Sequence, residues 1–316
     1  MKKLISVLLA VAALFALCVP ALALNEGDAR VVVGADLNED QILNVYGQFG
    51  IMRGSVPELK VTNAEERDYL EGLVSESIIG TRSISCIYIK VLGANAGLSV
   101  TTNNISWCTE DMYRSALMTA GIYDAEVKVG APFSVSGTAA LTGIYKAYED
   151  ITGVKLDDEA KAVAADELVI TAELADALES AGIDASALTE DAVAEEIANA
   201  DAVSIVNELK LILDETKNMS DDELRAEIVE IAAQYGYTIS DEYINRLIQL
   251  CRSMEGLSIA ELTDKVEQFK SGVAKFRDTL DTAREYADKA ITFGQRVANF
   301  FRAIGDFFSR LFGGGD

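Results

Sequence analysis

The sequence predicts an α+β protein. A mixed β-sheet with packed helices is expected over residues 24–153, an all-α region over 154–256, and a long amphipathic helix over 257–316. Three observations carry this reading. Apolar periodicity in the first part switches repeatedly between two and 3.6, giving the order β-α-α-β-β-α-β-α. Proline occurs only at Pro20, Pro57 and Pro132, and since proline interrupts helix interiors, its absence from the rest of the chain suits continuous helix. The last segment repeats its apolar positions every 3.5 residues.

Taken in order, Arg-Val-Val-Val-Gly (30–34) is a buried strand, continuous in β-branched residues. Asn38 with Gln41 forms a capping box and opens a helix ending near Gly47–Gly50. Thr62 with Glu65 repeats the device ahead of a helix expected to reach about Val74. Residues 82–91 and 98–103 form two strands, with Gly93-Ala94-Asn95-Ala96-Gly97 expected to join them as a hairpin. Thr109 caps the next helix, and Glu110 and Asp111 sit in its first turn, where the dipole favours acids. Gly121 stops that helix, 126–129 is a further strand, and Gly137-Thr138 starts a helix to about Ile151.

Beyond residue 156 the pattern is helical, with segments expected over 157–180, 190–217, 221–235 and 241–254. Ser220 with Glu223 is a capping box, and Ser240 is an N-cap. From Ile259 the apolar positions Leu262, Val266, Phe269, Val273, Phe276 and Leu280 continue through an alanine-rich stretch to Leu311. Such a repeat is the signature of a coiled-coil seam, with Gly294 as a break.

Residues 1–23 have the form of a secretory signal peptide: Lys2-Lys3, an apolar stretch from Leu4 to Leu17, and Ala21-Leu22-Ala23 as the cleavage site. No later apolar run reaches the roughly 20 residues that span a bilayer. The expectation is an extracytoplasmic protein, secreted or associated with the cell envelope. Loss of Lys2 and Lys3 leaves 25 basic against 51 acidic side chains, a formal charge of −26. That charge repels phosphate backbones and excludes nucleic acid as a partner. Histidine is absent, which excludes Ser-His-Asp and Cys-His nucleophiles and histidine-ligated zinc. Catalysis would have to rest on carboxylates, tyrosine, lysine or cysteine alone.

Cleavage leaves Cys86, Cys108 and Cys251. Cys251 follows Ile244, Leu247 and Ile248 on one helix face and reads as a core thiol. Cys86 and Cys108 are the candidate disulfide, although a hairpin at 93–97 sets Cys86 opposite Asn104, so Cys108 would have to curl back.

Two small-polar stretches are candidate ligand sites: Thr81, Arg82 and Ser83 entering a strand, and Ser134, Ser136, Gly137 and Thr138 entering a helix. Open N–H groups at a helix start, with hydroxyls and Arg82, suit a small anionic ligand such as a carboxylate or phosphate. The same residues also serve as ordinary caps and structural pairs. Asp36-x-Asn38-x-Asp40 begins like a calcium loop but has Gln41 in place of the required glycine, so no metal is expected. Walker A, G-x-G-x-x-G, G-x-S-x-G and C-x-x-C motifs are missing, and no cofactor is implied.

Six of the eleven phenylalanines lie in the last 24 residues. Phe300, Phe301, Ile304, Phe307, Phe308 and Leu311 share one helical face, with Arg296, Arg302 and Arg310 opposite. An interfacial helix on an anionic membrane surface has this form. So does a helix docked on a helical protein partner or on its own core, and pattern leaves all three open.

The strings Arg-Val-Val-Val-Gly-Ala-Asp-Leu (30–37), Ile-Gly-Thr-Arg-Ser-Ile-Ser-Cys (79–86), Thr-Ala-Gly-Ile (119–122) and Pro-Phe-Ser-Val-Ser-Gly-Thr-Ala-Ala-Leu-Thr-Gly (132–143) resemble one family. It is the exported proteins of Gram-positive bacteria called domain of unknown function 1002. The resemblance runs to about residue 255, is strongest over 30–150 and omits the Phe-rich end. It implies a Gram-positive envelope protein and carries no reaction or catalytic residue with it. The expected function is a non-enzymatic binding or interaction protein whose C-terminal helix associates with a membrane surface or partner. The alternative is a carboxylate-dependent hydrolase acting on cell-wall polymers.

Overall fold

The computed structural model describes residues 27–70, 79–181, 191–257 and 261–269. Its first part is a five-stranded mixed sheet in the order β2-β1-β3-β5-β4. The strands are β1 (Ala29–Gly34), β2 (Glu58–Val61), β3 (Cys86–Val91), β4 (Leu98–Ile105) and β5 (Ala125–Val135). β1 and β2 are parallel, β3 is antiparallel to both β1 and β5, and β4 is parallel to β5. Helices follow the other four strands: α1 (Glu39–Phe49) after β1, α2 (Asn63–Leu70) after β2, α3 (Glu110–Thr119) after β4 and α4 (Ala140–Thr152) after β5. The α+β class is therefore observed.

Strand pairing differs from the sequence expectation. β3 and β4 are not a hairpin, because β5 lies between them. The 93–97 loop crosses the end of β5: Ala125 N–H donates to Gly97 O, and Gly97 N–H donates to Asp124 Oδ1 at 2.7 Å. The physical reason lies in the two faces. Val127 and Val129 of β5 are buried and pair with Ile89 and Ile87 of β3. β4 instead turns the exposed Thr101 and Asn103 outward, which suits an edge strand.

The same arrangement removes the candidate disulfide. Cys86, Cys108 and Cys251 are all free and buried. Cys86 packs with Val31, Val33, Tyr46 and Phe49 under α1 on one face of the sheet. Cys108 packs with Met112, Tyr113 and Ala140 in the main core on the other. With the sheet between them the two sulfurs cannot meet.

α1 covers its face of the sheet with Ile42, Val45, Tyr46 and Phe49, each contributing about 1.5–3 kcal/mol by leaving water. Its Asn38–Gln41 capping box forms as expected, and Gly50 ends it in the left-handed conformation. The Thr62–Glu65 box forms at α2, whose expected extension through 71–78 lies outside the described residues. α4 departs from expectation: it begins at Ala140 behind Ala139, which makes no side-chain cap bond. Gly137 turns the chain there at φ +96°, and a Cβ on it would meet Ile105 and Tyr113.

The helical region contains α5 (Asp158–Ala181), α6 (Asp191–Leu211), the short α7 (Leu213–Thr216), α8 (Asp221–Gln234) and α9 (Asp241–Met254). The expected single helix over 190–217 breaks at Ile212, which leaves helical geometry. One continuous core runs from Val32 of β1 through α3, α4 and α5 to Leu262 and Val266 in the helical residues 261–269. The seam positions Leu262 and Val266 of the expected C-terminal helix thus pack on this protein's own core. Val273 onward, and the Phe-rich end, lie outside the described residues. No described helix is long and apolar enough to cross a membrane.

Candidate functional site

β1, β2, β4 and β5 all run in one direction, so their carboxyl ends share one edge of the sheet. α1, α2, α3 and α4 each start there, bringing four helix N-termini to the side where open α/β sheets hold ligands. Both stretches singled out in the sequence lie on this edge.

Thr81 and Arg82 are exposed and Ser83 is buried. Ser83 turns away from an anion: its N–H donates to Asp36 Oδ2 at 2.7 Å, and its hydroxyl donates to Glu66 Oε1 at 2.5 Å. The chain passes here so closely to β1 that a Cβ on Gly34 would lie 2.3 Å from Ser83 O. Burial pushes the Glu66 carboxyl up to about 7, against the opposing pull of the Ser83 and Asn63 hydrogen bonds. Arg82 has no ion-pair partner among the described residues.

Ser134 is exposed and Ser136 half-buried, while Gly137 and Thr138 are buried. Ser136 O accepts from Cys108 N–H, and Gly137 O accepts from the Tyr113 hydroxyl at 2.5 Å. These groups fasten β5 to α3. Ser83 bonds to the β1–α1 loop and α2, whereas the carbonyls of Ser136 and Gly137 bond to the β4–α3 loop and α3. They share an edge of the sheet.

A cleft of about 410 Å³ opens on the same edge between β4, the start of α3 and α6. Trp107, the chain's single tryptophan, lines it together with Thr102, Ser106, Glu110, Asp111, Arg114, Glu195, Glu196 and Asn199. Trp107 is positioned by its indole N–H, which donates to Asp176 Oδ2 on α5 at 2.8 Å. Glu110 accepts from the edge-strand N–H of Thr102 at 3.0 Å. Arg114 pairs with Asp111 at 2.6 Å, so the cleft keeps an excess of negative charge. Burial raises the Glu110 carboxyl above the ordinary carboxylate range, opposed by the Thr102 bond, and burial beside Glu195 raises Glu196. An aromatic face, hydroxyls and carboxylate acceptors together can bind a hydroxyl-rich molecule. Among the described residues no three Cys, Asp or Glu side chains are placed to hold a metal ion.

Sequence reasoning missed this cleft. Its signal was present in Ser-Trp-Cys-Thr-Glu-Asp (106–111), where a large aromatic stands directly before a helix start. It also missed a buried polar centre. Lys210 Nζ donates to Glu167 Oε1 at 2.6 Å and to Ser115 Oγ at 2.9 Å, and Thr119 Oγ1 donates to Glu167 Oε2 at 2.5 Å. Ser115 beside Lys210 has the spacing of a lysine-activated nucleophile. With Ser115 at 1% and Lys210 at 0% exposure, no substrate reaches the pair, and its role is to join α3, α5 and α6.

Phe300, Phe301, Ile304, Phe307, Phe308 and Leu311 lie outside the described residues. A family model described as "Protein of unknown function (DUF1002)" matches residues 33–271. The chain is also similar to "Uncharacterized protein YpuA" of Bacillus subtilis (strain 168), 35% identical over 284 residues, covering 87% of this chain and 90% of that protein. No solved structure matches. The chain belongs to the DUF1002 family, whose function is unknown.

Proposed function

We propose that this is an exported, non-enzymatic binding protein of the Gram-positive cell envelope that takes a hydroxyl-rich fragment of wall polymer in the Trp107 cleft. The signal-peptide pattern and the acidic mature chain support the location. The observation that carries the ligand class is the cleft itself: one tryptophan, the hydroxyls of Thr102, Ser106 and Thr109, and four carboxylates around about 410 Å³. Carboxylates and Asn199 are acceptors for sugar hydroxyls, and the excess negative charge disfavours anions. A small anion would instead meet the exposed Arg82 and Thr81, since the donors of Ser83 are already engaged. Co-sedimentation with purified insoluble cell wall tests the proposal. Retention of the wild-type chain and its loss in Trp107→Ala supports it, and equal retention of the two removes it.

The Phe-rich face at 300–311 is proposed to associate with an anionic membrane surface or a helical partner. Liposome binding by residues 24–316 that disappears in a chain ending at Thr292 supports the membrane form.

One observation favours hydrolysis as a second reading: Glu110, held above the ordinary carboxylate range, shares the cleft with Asp111, Glu195 and Glu196. Paired carboxyls of this sort cleave glycosides. Soluble products released from purified wall across about pH 4–8, and abolished by Glu110→Gln, would establish it.

A further inference from the structure

A second cavity lies at the opposite end of the sheet from the Trp107 cleft, where the α+β part, the 155–160 segment and the start of the last helix meet. Its volume is about 550 Å³, within the roughly 300–1,000 Å³ usual for small-molecule sites. Leu92, Ala120, Leu156, Leu257 and Leu262 give it apolar walls. Tyr123 and Tyr148 face it, both half-buried.

Neither tyrosine hydroxyl has a hydrogen-bond partner among the described residues. Both hydroxyls are therefore free to donate to, or accept from, a polar group placed in the cavity. The surrounding charge fixes the sign of that group. Asp124, Asp157, Glu159 and Glu261 line the cavity together with Lys155, and Lys265 stands beside it on the Tyr123 ring, so acids outnumber cations by four to two. Lys155 is engaged with Glu149, Asp157 caps α5 through Ala160 N–H, and Asp124 holds Gly97 N–H. Glu159 and Glu261 remain to face a ligand. The Tyr123 ring is taken by the Lys265 ammonium, 5.6 Å from its centroid, so the tyrosine hydroxyls and Glu261 are what a ligand would meet.

We infer that this cavity is a binding site for a small organic amine, its ammonium held between Glu261 and the hydroxyls of Tyr123 and Tyr148 and its alkyl part against the leucine walls. An ammonium supplies donors that a hydroxyl oxygen and a carboxylate accept, and it offsets the excess negative charge. The site stands on residues separate from the Trp107 cleft, so either can fail alone.

Isothermal titration of the mature chain with three molecules of similar length tests this: 1,5-diaminopentane, 1,5-pentanediol and glutarate. The diamine is expected to bind saturably and the diol and dianion not to. Glu261→Gln and Tyr148→Phe, each shown folded by circular dichroism, are expected to weaken the diamine on the order of tenfold or more, the loss of one charge-assisted contact. Trp107→Phe is expected to leave it unchanged. Absence of saturable diamine binding overturns the inference. So does equal binding of the diol or glutarate, an undiminished affinity in both cavity variants, or loss of binding in Trp107→Phe.

Discussion

Lys210 and Glu167 form an ion pair with both side chains closed off from solvent, Nζ 2.6 Å from Oε1 and exposures of 0% and 1%. Burial lowers the Lys210 ammonium from its ordinary value, and Glu167 counteracts that by holding the charge in place. Ser115 and Thr119 donate their hydroxyls to the Glu167 carboxylate, and the Thr171 hydroxyl donates to the Glu167 backbone carbonyl. The pair lies where α3, which packs on the sheet, meets α5 and α6.

Breaking this pair from one side strands a buried charge. Glu167→Leu is expected to lower unfolding stability by about 3–5 kcal/mol. The double variant Glu167→Leu/Lys210→Met removes both charges and is expected to recover much of that loss. Urea unfolding of the three chains measures it, and a double variant no better than the single one refutes the pairwise account.

Glu66 gives a pH dependence of definite sign. Its folded pKa, about 7, stands above the ordinary 4.5, so the fold retains the proton that the unfolded chain releases. Its stabilising contribution is complete below pH 4.5, falls as pH rises through about 7, and is gone above it. On the order of 3 kcal/mol is lost across that window. Glu66→Gln, which keeps the shape and cannot ionise, is expected to flatten this part of the stability profile. A profile identical to wild type between pH 5 and 8 excludes Glu66 as its source.

The three thiols are expected to be silent in the native protein. Cys86, Cys108 and Cys251 are free and buried, and burial pushes the Cys86 and Cys251 thiols up to about 12. An aromatic disulfide reagent should label none of them before unfolding and all three after. A reductant should leave the unfolding curve in place, because no cross-link exists to be cut. A fall in stability on reduction contradicts the placement of Cys86 and Cys108 on opposite faces.

Gly34 ends β1 where the chain before β3 passes within reach of its α-carbon. A Cβ there would stand 2.3 Å from Ser83 O and 2.8 Å from Ile84 N, both backbone atoms that cannot rotate aside. Gly34→Ala is expected to cost about 2–4 kcal/mol and to loosen the Ser83 hydrogen bonds to Asp36 and Glu66. Thermal unfolding reads the cost, and a wild-type midpoint would mean that the approach is not tight.

What the sequence made legible follows from how local each signal is. Asn38–Gln41, Thr62–Glu65 and Ser220–Glu223 announce helix starts because a capping box closes within four residues. The placement of β5 between β3 and β4 was hidden, since alternation marks a strand and its faces but not its neighbour. Thr101 and Asn103, polar on the face away from the core, were the hint that β4 is an edge. The stretches at Arg82 and Ser134–Thr138 could be singled out because loop chemistry is local, whereas the cleft needs α6 to approach α3 from far along the chain. The Lys210 centre had a signal that went unread: Val203, Asn207 and Lys210 fall at i, i+4 and i+7, so two polar residues continue an apolar face.

The most direct test of the account is a fluorescence titration of Trp107, the single tryptophan, in the mature chain with soluble cell-wall fragments. Saturable change in its emission, absent in Glu110→Gln/Asn199→Ala and unaffected by Tyr148→Phe, is the predicted result. Binding measured by calorimetry with no change at Trp107, or no binding at all, would contradict the assignment of the ligand to this cleft.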